Sequence, residues 1–201
     1  MKKHLLLIFT RNPELGKVKT RLAKTIGDKK ALNIYILLLK HTESVLQKVS
    51  SDKVVYYSEK IQSNDLWSNR CFQKKLQKGN DLGERMQHAF ETAFKDGCEK
   101  VVIVGSDLFD LKVVHIENAF KSLENHDLVI GPSLDGGYYL LGMKVLHPAV
   151  FKNKQWGTDS VLETTLKNLE QENVKLLEAL NDIDTFDDLQ GHPELLKKIK
   201  L

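Results

Sequence analysis

The chain has 201 residues, of which 41% are hydrophobic and 28% charged, and it contains 12 glycines but only 4 prolines. This composition excludes collagen, low-complexity disorder and a disulfide-rich mini-protein, and the length suits one domain. The 30 Lys and Arg residues against 27 Asp and Glu give a net charge of +3, which is too small an excess to indicate nucleic acid or an anionic membrane as a partner.

The cysteines and the N-terminus favour a cytoplasmic protein. Cys71 and Cys98 cannot form a disulfide framework, and neither has a second ligand at metal-binding spacing. Met1-Lys2-Lys3 and the apolar residues 5–9 resemble the start of a signal peptide, but the run is too short and lacks a small-residue cleavage site. No stretch approaches the roughly 20 apolar residues that span a bilayer.

Short apolar runs alternate with segments of helical period along the chain. The runs predict strands at residues 5–9, 54–57, 101–104, 127–130, 138–143 and 174–177. The helical periods predict a helix from Asp28, as N-cap, to about residue 49, and further helices over residues 81–95, 113–123 and 158–170. A short helix that includes Leu189 and a basic C-terminal helix follow. This alternation is typical of βα units stacked around a mostly parallel sheet, so we expect one α/β domain over residues 1–201.

Four cations lie just after the first predicted strand: Arg11, Lys17, Lys19 and Arg21. Open α/β sheets bind ligands at the carboxyl ends of their strands, and clustered Lys and Arg there suit a phosphate or diphosphate. The segment matches neither a P-loop nor a dinucleotide fingerprint, because it has a single glycine, Gly16. A solvated basic turn is an equally good interpretation.

Two aspartates follow the strand predicted at residues 101–104. A carboxylate at this place can bind a hard cation, and Mg²⁺ typically takes one or two carboxylates together with substrate phosphates. Asp is also a frequent helix cap. The spacing favours a cap for Asp110, before the helix that begins near Lys112, and leaves both roles open for Asp107.

Asp135, Gly136 and Gly137 precede the strand predicted at residues 138–143. Adjacent glycines allow a ligand to approach the backbone closely, and the Asp could accept hydrogen bonds from sugar hydroxyls. Asp-Gly and Gly-Gly are also strong turn dipeptides. The residues alone therefore favour an ordinary turn.

Asp182 and Asp184 alternate in an extended stretch near the C-terminus. Side chains two apart on a strand point the same way, so one of them could complete a divalent-metal site with Asp107. Alternatively, Asp184 or Thr185 caps the helix through Leu189. Spacing alone cannot bring residues 107 and 184 together.

Several segments, taken in chain order, resemble a known family. They are residues 9–11, 16–22, 77–86, 105–107, 135–138, 156–158 and 182–185. Together they resemble the glycosyltransferase-like family associated with radical-SAM and selenodomain proteins. That family is similar to the GT-A nucleotide-diphospho-sugar transferase superfamily, which includes guanylyltransferases for phospholactate and for the molybdenum cofactor.

The resemblance implies a Rossmann-like GT-A fold, a three-layer α/β/α sandwich with a mostly parallel mixed sheet and a nucleotide at its carboxyl edge. It assigns nucleotide and phosphate binding to Arg11, Lys17, Lys19, Arg21, Gly79, Asp81, Gly83 and Arg85. It assigns Mg²⁺ or Mn²⁺ to Asp107 and Asp184, and catalysis to Asp107, Lys19 and Arg21. The acceptor would face Asp135, Gly136, Gly137, Tyr138, Trp156 and Thr158.

One departure from the family pattern falls in the expected metal loop. The family commonly has Asp-Cys-Pro-Asp-Leu there, whereas this chain has Leu108 and Phe109 in place of the Cys and Pro. A stiffening proline is therefore absent next to Asp107.

The expected function is a metal-dependent transferase that moves a glycosyl or nucleotidyl group from a nucleotide-activated donor to a small acceptor. The alternative is a nucleotide-binding module without turnover, which the altered loop motivates. A nucleic-acid binder would rest on the charge and the Lys-rich C-terminus alone. Neither the acceptor nor the oligomeric state can be derived from the residues.

Overall fold

Six of the seven strands of the sheet follow the short apolar runs of the sequence. The computed structural model describes residues 4–199; Met1-Lys2-Lys3, Lys200 and Leu201 lie outside them. The strands are β1 (His4–Thr10), β2 (Asp52–Tyr57), β3 (Gln73–Leu76), β4 (Lys100–Gly105), β5 (Leu128–Pro132), β6 (Tyr138–Met143) and β7 (Val174–Leu176). The helices are α1 (Thr20–Ile26), α2 (Asp28–Leu46), α3 (Leu82–Lys95), α4 (Val113–Ser122), α5 (Val161–Lys167), α6 (Phe186–Gln190) and α7 (Pro193–Lys198), with a 3-10 turn at Pro148–Val150.

The strands form one mixed sheet in the order β3-β2-β1-β4-β6-β5-β7. β1 pairs in parallel with both β2 and β4, and β6 runs antiparallel to its neighbours β4 and β5. The expected mostly parallel mixed sheet is confirmed. Because β1 and β4 lie side by side and parallel, the segments that follow them emerge together at one edge of the sheet.

Helices cover both faces of the sheet. Successive strand residues point to opposite faces, and accordingly Leu6 and Ile8 pack with α2 and α4 whereas Leu7 packs with α3. A third apolar cluster joins α1, α2, α6 and α7 at one side. The layers match the expected three-layer arrangement, and the third cluster holds the C-terminal helices against the segment after β1.

Besides the 3-10 turn, two elements were not predicted from the sequence. α1 begins within the cationic segment that we expected to be a loop, and it starts after Lys19 in a left-handed conformation (φ 48). β3 carries the sequence Gln-Lys-Lys-Leu and is an edge strand. Charged edge strands are common because Lys discourages pairing with another chain, and they carry no alternating apolar pattern.

Some boundaries also differ from the expectation. Asp28 is the first residue of α2, and Gly27 (φ 82) is its N-cap. α2 ends at Leu46 rather than residue 49, and α5 is shorter than the predicted 158–170. The predicted end of α3 is confirmed, with Gly97 (φ 84) just past it.

Within residues 4–199, no helix is both long enough and apolar enough to cross a bilayer. Both cysteines are free thiols, as expected.

Candidate functional site

The candidate site is built where β1 and β4 end. The loop after β1 is fixed to α2 through Tyr35, whose hydroxyl accepts a hydrogen bond from the Arg11 amide (3.0 Å) and donates one to the Arg11 carbonyl (3.1 Å). Beside it, the Ser106 hydroxyl after β4 donates to Thr10 Oγ1 (3.0 Å). These bonds hold the two loops at a defined separation.

Lys19 lies between Asp107 and Asp184, the two expected metal ligands. Its Nζ is 2.8 Å from Asp107 Oδ2 and 2.6 Å from Asp184 Oδ1. The Lys side chain is 3% exposed, whereas the two carboxylates are 36% and 37% exposed. The fold therefore brings together three residues that the sequence separates, and each carboxylate keeps one side toward solvent.

We call Asp107 and Asp184 the carboxylate pair. The ion pairs between these two carboxylates and Lys19 dominate the electrostatics of the cluster. Burial acts to lower the pKa of Lys19, but the charges of the carboxylate pair raise it above its ordinary value. Burial likewise acts to raise the pKa of Asp107, but the Lys19 ammonium holds it below its usual range. Arg21 adds a longer contact, 3.9 Å from Asp184 Oδ2, and its side chain is mostly exposed.

The loop that departs from the family pattern is held by packing and hydrogen bonds. Leu108 is buried, and the Phe109 ring packs against the rings of His41 (5.0 Å) and His192 (5.4 Å). From α2, the Thr42 hydroxyl donates to the Ser106 carbonyl (3.0 Å). Aromatic contacts thus fix the place where the family has a proline.

Of the two predicted helix caps, Asp110 before α4 is wrong and Thr185 before α6 is confirmed. Asp110 is not the cap of α4, because Lys112 is its N-cap and the Lys112 amide donates to His115 Nδ1 (3.2 Å). That prediction was wrong, and Asp110 instead lies 3.8 Å from His192. Thr185 does cap α6 through Asp188, which frees Asp184 for Lys19.

A cavity lined by many charged and polar side chains opens beside Asp107, and we call it the polar cavity. Three of the expected nucleotide-binding cations line it, namely Arg11, Lys17 and Arg85. Lys17 also pairs with Glu14 (2.8 Å) at an exposed position, where an ion pair contributes little and a phosphate could replace it. Arg21 and Lys19 do not line this cavity and lie at the carboxylate pair instead.

Asn12 is an anchor of the polar cavity that the sequence did not reveal. Its side chain is buried; Oδ1 accepts from the amides of Glu59 (3.0 Å) and Lys60 (3.2 Å), and Nδ2 donates to the Lys60 carbonyl (2.8 Å). These bonds tie the loop after β1 to the loop after β2. An Asn-Pro pair indicates a turn, and nothing in that pattern predicts an anchoring role for the Asn side chain.

The segment before α3 forms another wall of the polar cavity. Arg85 Nε donates to the Gly79 carbonyl (3.0 Å), and Gly79 takes φ 141 with the α3 backbone so close that a side chain would collide with it. Asp81 lines the cavity and also caps α3 by accepting from the Glu84 amide (2.8 Å). Neither Gly79 nor Gly83 lines the cavity; Gly83 lets α3 pack closely on Phe151.

A second cavity, lined mainly by apolar side chains, also includes Asp107 in its wall, and we call it the apolar cavity. Its lining includes five of the six expected acceptor residues: Asp135, Gly137, Tyr138, Trp156 and Thr158. Gly136 is not in the lining. Phe9, Leu82 and Asp107 line both cavities, so the two spaces meet at Asp107, whereas Asp184 lines neither of them.

Asp182 lies in the apolar cavity rather than at the carboxylate pair. Its Oδ1 accepts a hydrogen bond from the Ser133 hydroxyl (2.9 Å). Burial and the nearby charge of Asp135 raise the pKa of Asp182 above its ordinary value. The Tyr138 hydroxyl is buried and has no hydrogen-bond partner among the described residues, and its ring meets Trp156 nearly edge to face (6.4 Å).

The two adjacent glycines differ in what they require. Gly136 has φ 87, and a Cβ there would lie 2.2 Å from the Asp159 carbonyl oxygen. At Gly137 a Cβ would come within 3.1 Å of the Asp135 carboxylate alone, the movable end of a side chain. Gly136 is thus the position at which the turn packs against the segment before α5.

We expect Gly136→Ala to lower the free energy of unfolding by about 2 kcal/mol, because a non-glycine residue with positive φ costs roughly 1–3 kcal/mol. Gly137→Ala is the matched control and should change it little. Urea unfolding of both variants measures the difference. Equal losses at the two positions would contradict the assignment of the tight turn to Gly136.

The architecture is that of the GT-A-like nucleotide-diphospho-sugar transferase fold. A candidate nucleotide-diphospho-sugar transferase from Desulfovibrio desulfuricans G20 is similar over 99% of both chains, with a TM-score of 0.87 and 29% identity. A cytidylyltransferase from Leptospira borgpetersenii serovar Hardjo-bovis shares the fold (TM-score 0.62, 14% identity, covering 100% of this chain and 94% of the other).

The chain belongs to the family described as "Uncharacterized protein conserved in bacteria" (DUF2064), whose model matches residues 41–158, more than half of the chain. It is also 28% identical over 131 residues to the 2-phospho-L-lactate guanylyltransferase of Methanocaldococcus jannaschii. That match covers 65% of this chain and 56% of the guanylyltransferase. The chain thus spans little more than half the length of the curated relative.

Proposed function

We propose that this protein is a transferase that moves a nucleotidyl or glycosyl group from a nucleotide-activated donor to a small acceptor, with the help of Mg²⁺ or Mn²⁺. The observation that carries the proposal is the meeting of a polar and an apolar cavity at Asp107. A donor in one space and an acceptor in the other would place their reacting atoms beside the carboxylate pair.

The polar cavity supports the donor side of the proposal. Arg11, Lys17 and Arg85 line it and would contact the donor's phosphates, since Arg and Lys form strong charge-assisted hydrogen bonds to phosphate oxygens. The part of the wall from Asn80 to Arg85 would lie along the base and ribose. Transfer also needs the leaving pyrophosphate or nucleoside diphosphate to be stabilised, and fixed cations do this electrostatically.

The carboxylate pair fits a divalent cation. Lys19 Nζ stands in for such a cation, because it contacts one oxygen of each carboxylate at 2.8 and 2.6 Å. The described residues contain no group of three or more His, Cys, Asp or Glu that could hold a metal. Mg²⁺ commonly takes one or two carboxylates and completes its shell with waters and substrate phosphates. Bound there, the cation would neutralise charge on the leaving phosphates.

The residues around the carboxylate pair would position it and balance its charge. Lys19 keeps the two carboxylates together before the donor arrives, and its ammonium would then be close enough to reach the phosphates. An acceptor hydroxyl or amine would attack either the α-phosphorus, with release of pyrophosphate, or the anomeric carbon, with release of a nucleoside diphosphate. The attacking group loses its proton to solvent water in either case.

The comparisons support the class of reaction and leave the acceptor open. The relatives and structural neighbours named above are nucleotidyltransferases or a candidate nucleotide-sugar transferase. The curated relative acts, by its name, on a phosphorylated acid. We extend to this chain the nucleotide-dependent transfer, and not that acceptor.

We expect a nucleotide with Mn²⁺ to raise the melting temperature well above the nucleotide alone, since a ligand at 100 times its Kd stabilises by about 2.7 kcal/mol. The probes are the common nucleoside triphosphates and nucleotide sugars. Asp107→Asn should remove the metal-dependent part of the rise. Asp110→Asn, three residues away on the same loop and outside both cavities, should keep it.

The products then separate the transfer reactions. Pyrophosphate release indicates nucleotidyl transfer, and nucleoside diphosphate release indicates glycosyl transfer. A nucleotide that binds with the metal and stays intact with every acceptor tried would favour the binding module without turnover. If no probe gives a metal-dependent shift in the wild-type protein, the metal site is wrong.

A further inference from the structure

The charge of the apolar cavity limits what it can hold. Among the described residues that line it, three carry carboxylates (Asp107, Asp135 and Asp182) and none is Lys, Arg or His. Asp107 is paired with Lys19. In the part of the chain that the structure describes, neither Asp135 nor Asp182 has an ion-pair partner within 4 Å. The fixed charge facing this space is therefore negative.

The rest of the lining is largely apolar. Met86, Ile103, Leu141 and Trp156 contribute carbon surface, and the Tyr138 ring stands against the Trp ring. Such a wall binds the apolar body of a ligand by removing its surface from water. Burial lowers the effective dielectric constant around Asp182, which is half-buried, so this carboxylate acts more strongly on a ligand's charge than it would in water, whereas Asp135 is exposed.

A few polar groups in this cavity are left for a ligand to use. Asp182 accepts a hydrogen bond through Oδ1, from Ser133, and Asp135 accepts one through Oδ1, from the Gly137 amide. The buried Tyr138 hydroxyl has no partner among the described residues. This hydroxyl is shielded from solvent, so the carboxylates of the exposed Asp135 and the half-buried Asp182 are the polar groups open to a ligand. The carboxylate oxygens of Asp135 and Asp182 can accept further hydrogen bonds from donors on a ligand.

We propose that the apolar cavity selects an uncharged or cationic acceptor, with an apolar body and a hydroxyl or amino group, and discriminates against phosphorylated or carboxylated ones. The inference rests on the proposed function, which makes this space the acceptor side. An anionic acceptor would face Asp135 and Asp182 with no cation of the cavity wall to balance it. An alcohol or amine would donate hydrogen bonds to the same two carboxylates.

Three probes with one apolar body test the charge preference: benzyl alcohol, benzylamine and benzyl phosphate. Binding is followed by NMR through the Trp156 indole resonance, in metal-free buffer so that the phosphate cannot bind through a metal. We expect the alcohol and the amine to shift this resonance with a Kd at least tenfold lower than that of the phosphate. Benzyl phosphate bound in the polar cavity would move other resonances.

Variants identify the source of the preference. Asp135→Asn and Asp182→Asn should each reduce the difference between benzylamine and benzyl phosphate, and the double variant should reduce it further. Asp187→Asn removes an exposed carboxylate of α6 that lines neither cavity and should leave the difference unchanged. Equal or tighter binding of benzyl phosphate at Trp156, or no Trp156 shift with any probe, would overturn the proposal.

Failure of the charge-selection proposal can be distinguished from failure of the proposed function. Nucleotide and Mn²⁺ binding is measured separately, by the melting experiment, at the polar cavity. If that binding fails while the probe ranking holds, the donor assignment is wrong and the charge selection stands. If nucleotide and Mn²⁺ bind while the ranking reverses, the charge selection alone is wrong.

Discussion

Asp65→Asn is expected to lower the free energy of unfolding by about 3–5 kcal/mol, the usual cost of breaking a buried ion pair from one side. The Asp65 carboxylate binds Lys74 Nζ (2.7 Å), the Trp67 amide (3.1 Å) and the Tyr57 hydroxyl. The Asp and Lys side chains are 10% and 7% exposed. The substitution keeps the shape of the side chain but leaves the Lys74 charge buried without its partner.

The chain offers a matched control for this prediction. Glu163 and Lys167 also approach to 2.7 Å, but their side chains are 69% and 64% exposed. Glu163→Gln should therefore leave the stability nearly unchanged, because water screens an exposed pair. Urea unfolding measures the free energy of unfolding of both variants. The two ion pairs have the same N–O distance and differ in burial, so the difference between the losses reports the effect of burial. Similar losses in the two variants would show that burial does not set the cost.

Loss of the Asp65 carboxylate should also disturb the wall of the polar cavity. The cluster joins β2, β3 and the loop between them, since Lys74 Nζ also donates to the Gln62 carbonyl (2.7 Å). The same loop supplies Ser58 and Glu59 to the cavity wall and is tied to Asn12. We expect weaker nucleotide binding in Asp65→Asn at temperatures where the variant is still folded.

The periodic part of the fold could be predicted from the sequence. β1 and β4 lie in the middle of the sheet and are buried on both faces, so their sequences are continuous apolar runs. α3 shows helical apolar spacing with a glycine just past its end. β3 and α1 could not be predicted, because an edge strand with two lysines and a short helix in a cationic segment lack such periods.

The site depends on contacts between distant residues, and spacing does not report them. Asp184 meets Lys19 because α6 packs beside α1, and only the family resemblance suggested that it lies near Asp107. Lys19 itself was expected at phosphates, yet in this structure it joins the carboxylate pair. The Asp65 cluster gave no signal at all, since isolated Asp and Lys residues in a polar segment usually lie in solvent.

Lys19→Met is expected to destabilise the metal-free protein by about 2–3 kcal/mol, somewhat less than the loss of a fully buried pair because both carboxylates are a third exposed. Methionine keeps the length of the stem but removes the ammonium. Asp107 and Asp184 would then face each other as unbalanced like charges. Unfolding in buffer with a metal chelator measures this loss.

Mn²⁺ without nucleotide should restore much of that stability, because the carboxylate pair in Lys19→Met is free to bind a cation that Lys19 otherwise replaces. The rise in melting temperature on adding Mn²⁺ should be larger in Lys19→Met than in the wild-type protein. Arg21→Met is the control, since Arg21 is mostly exposed and 3.9 Å from Asp184, and it should match the wild type. A destabilised Lys19→Met variant that does not respond to Mn²⁺ would show that the two carboxylates, although they share an ammonium, do not form a metal site.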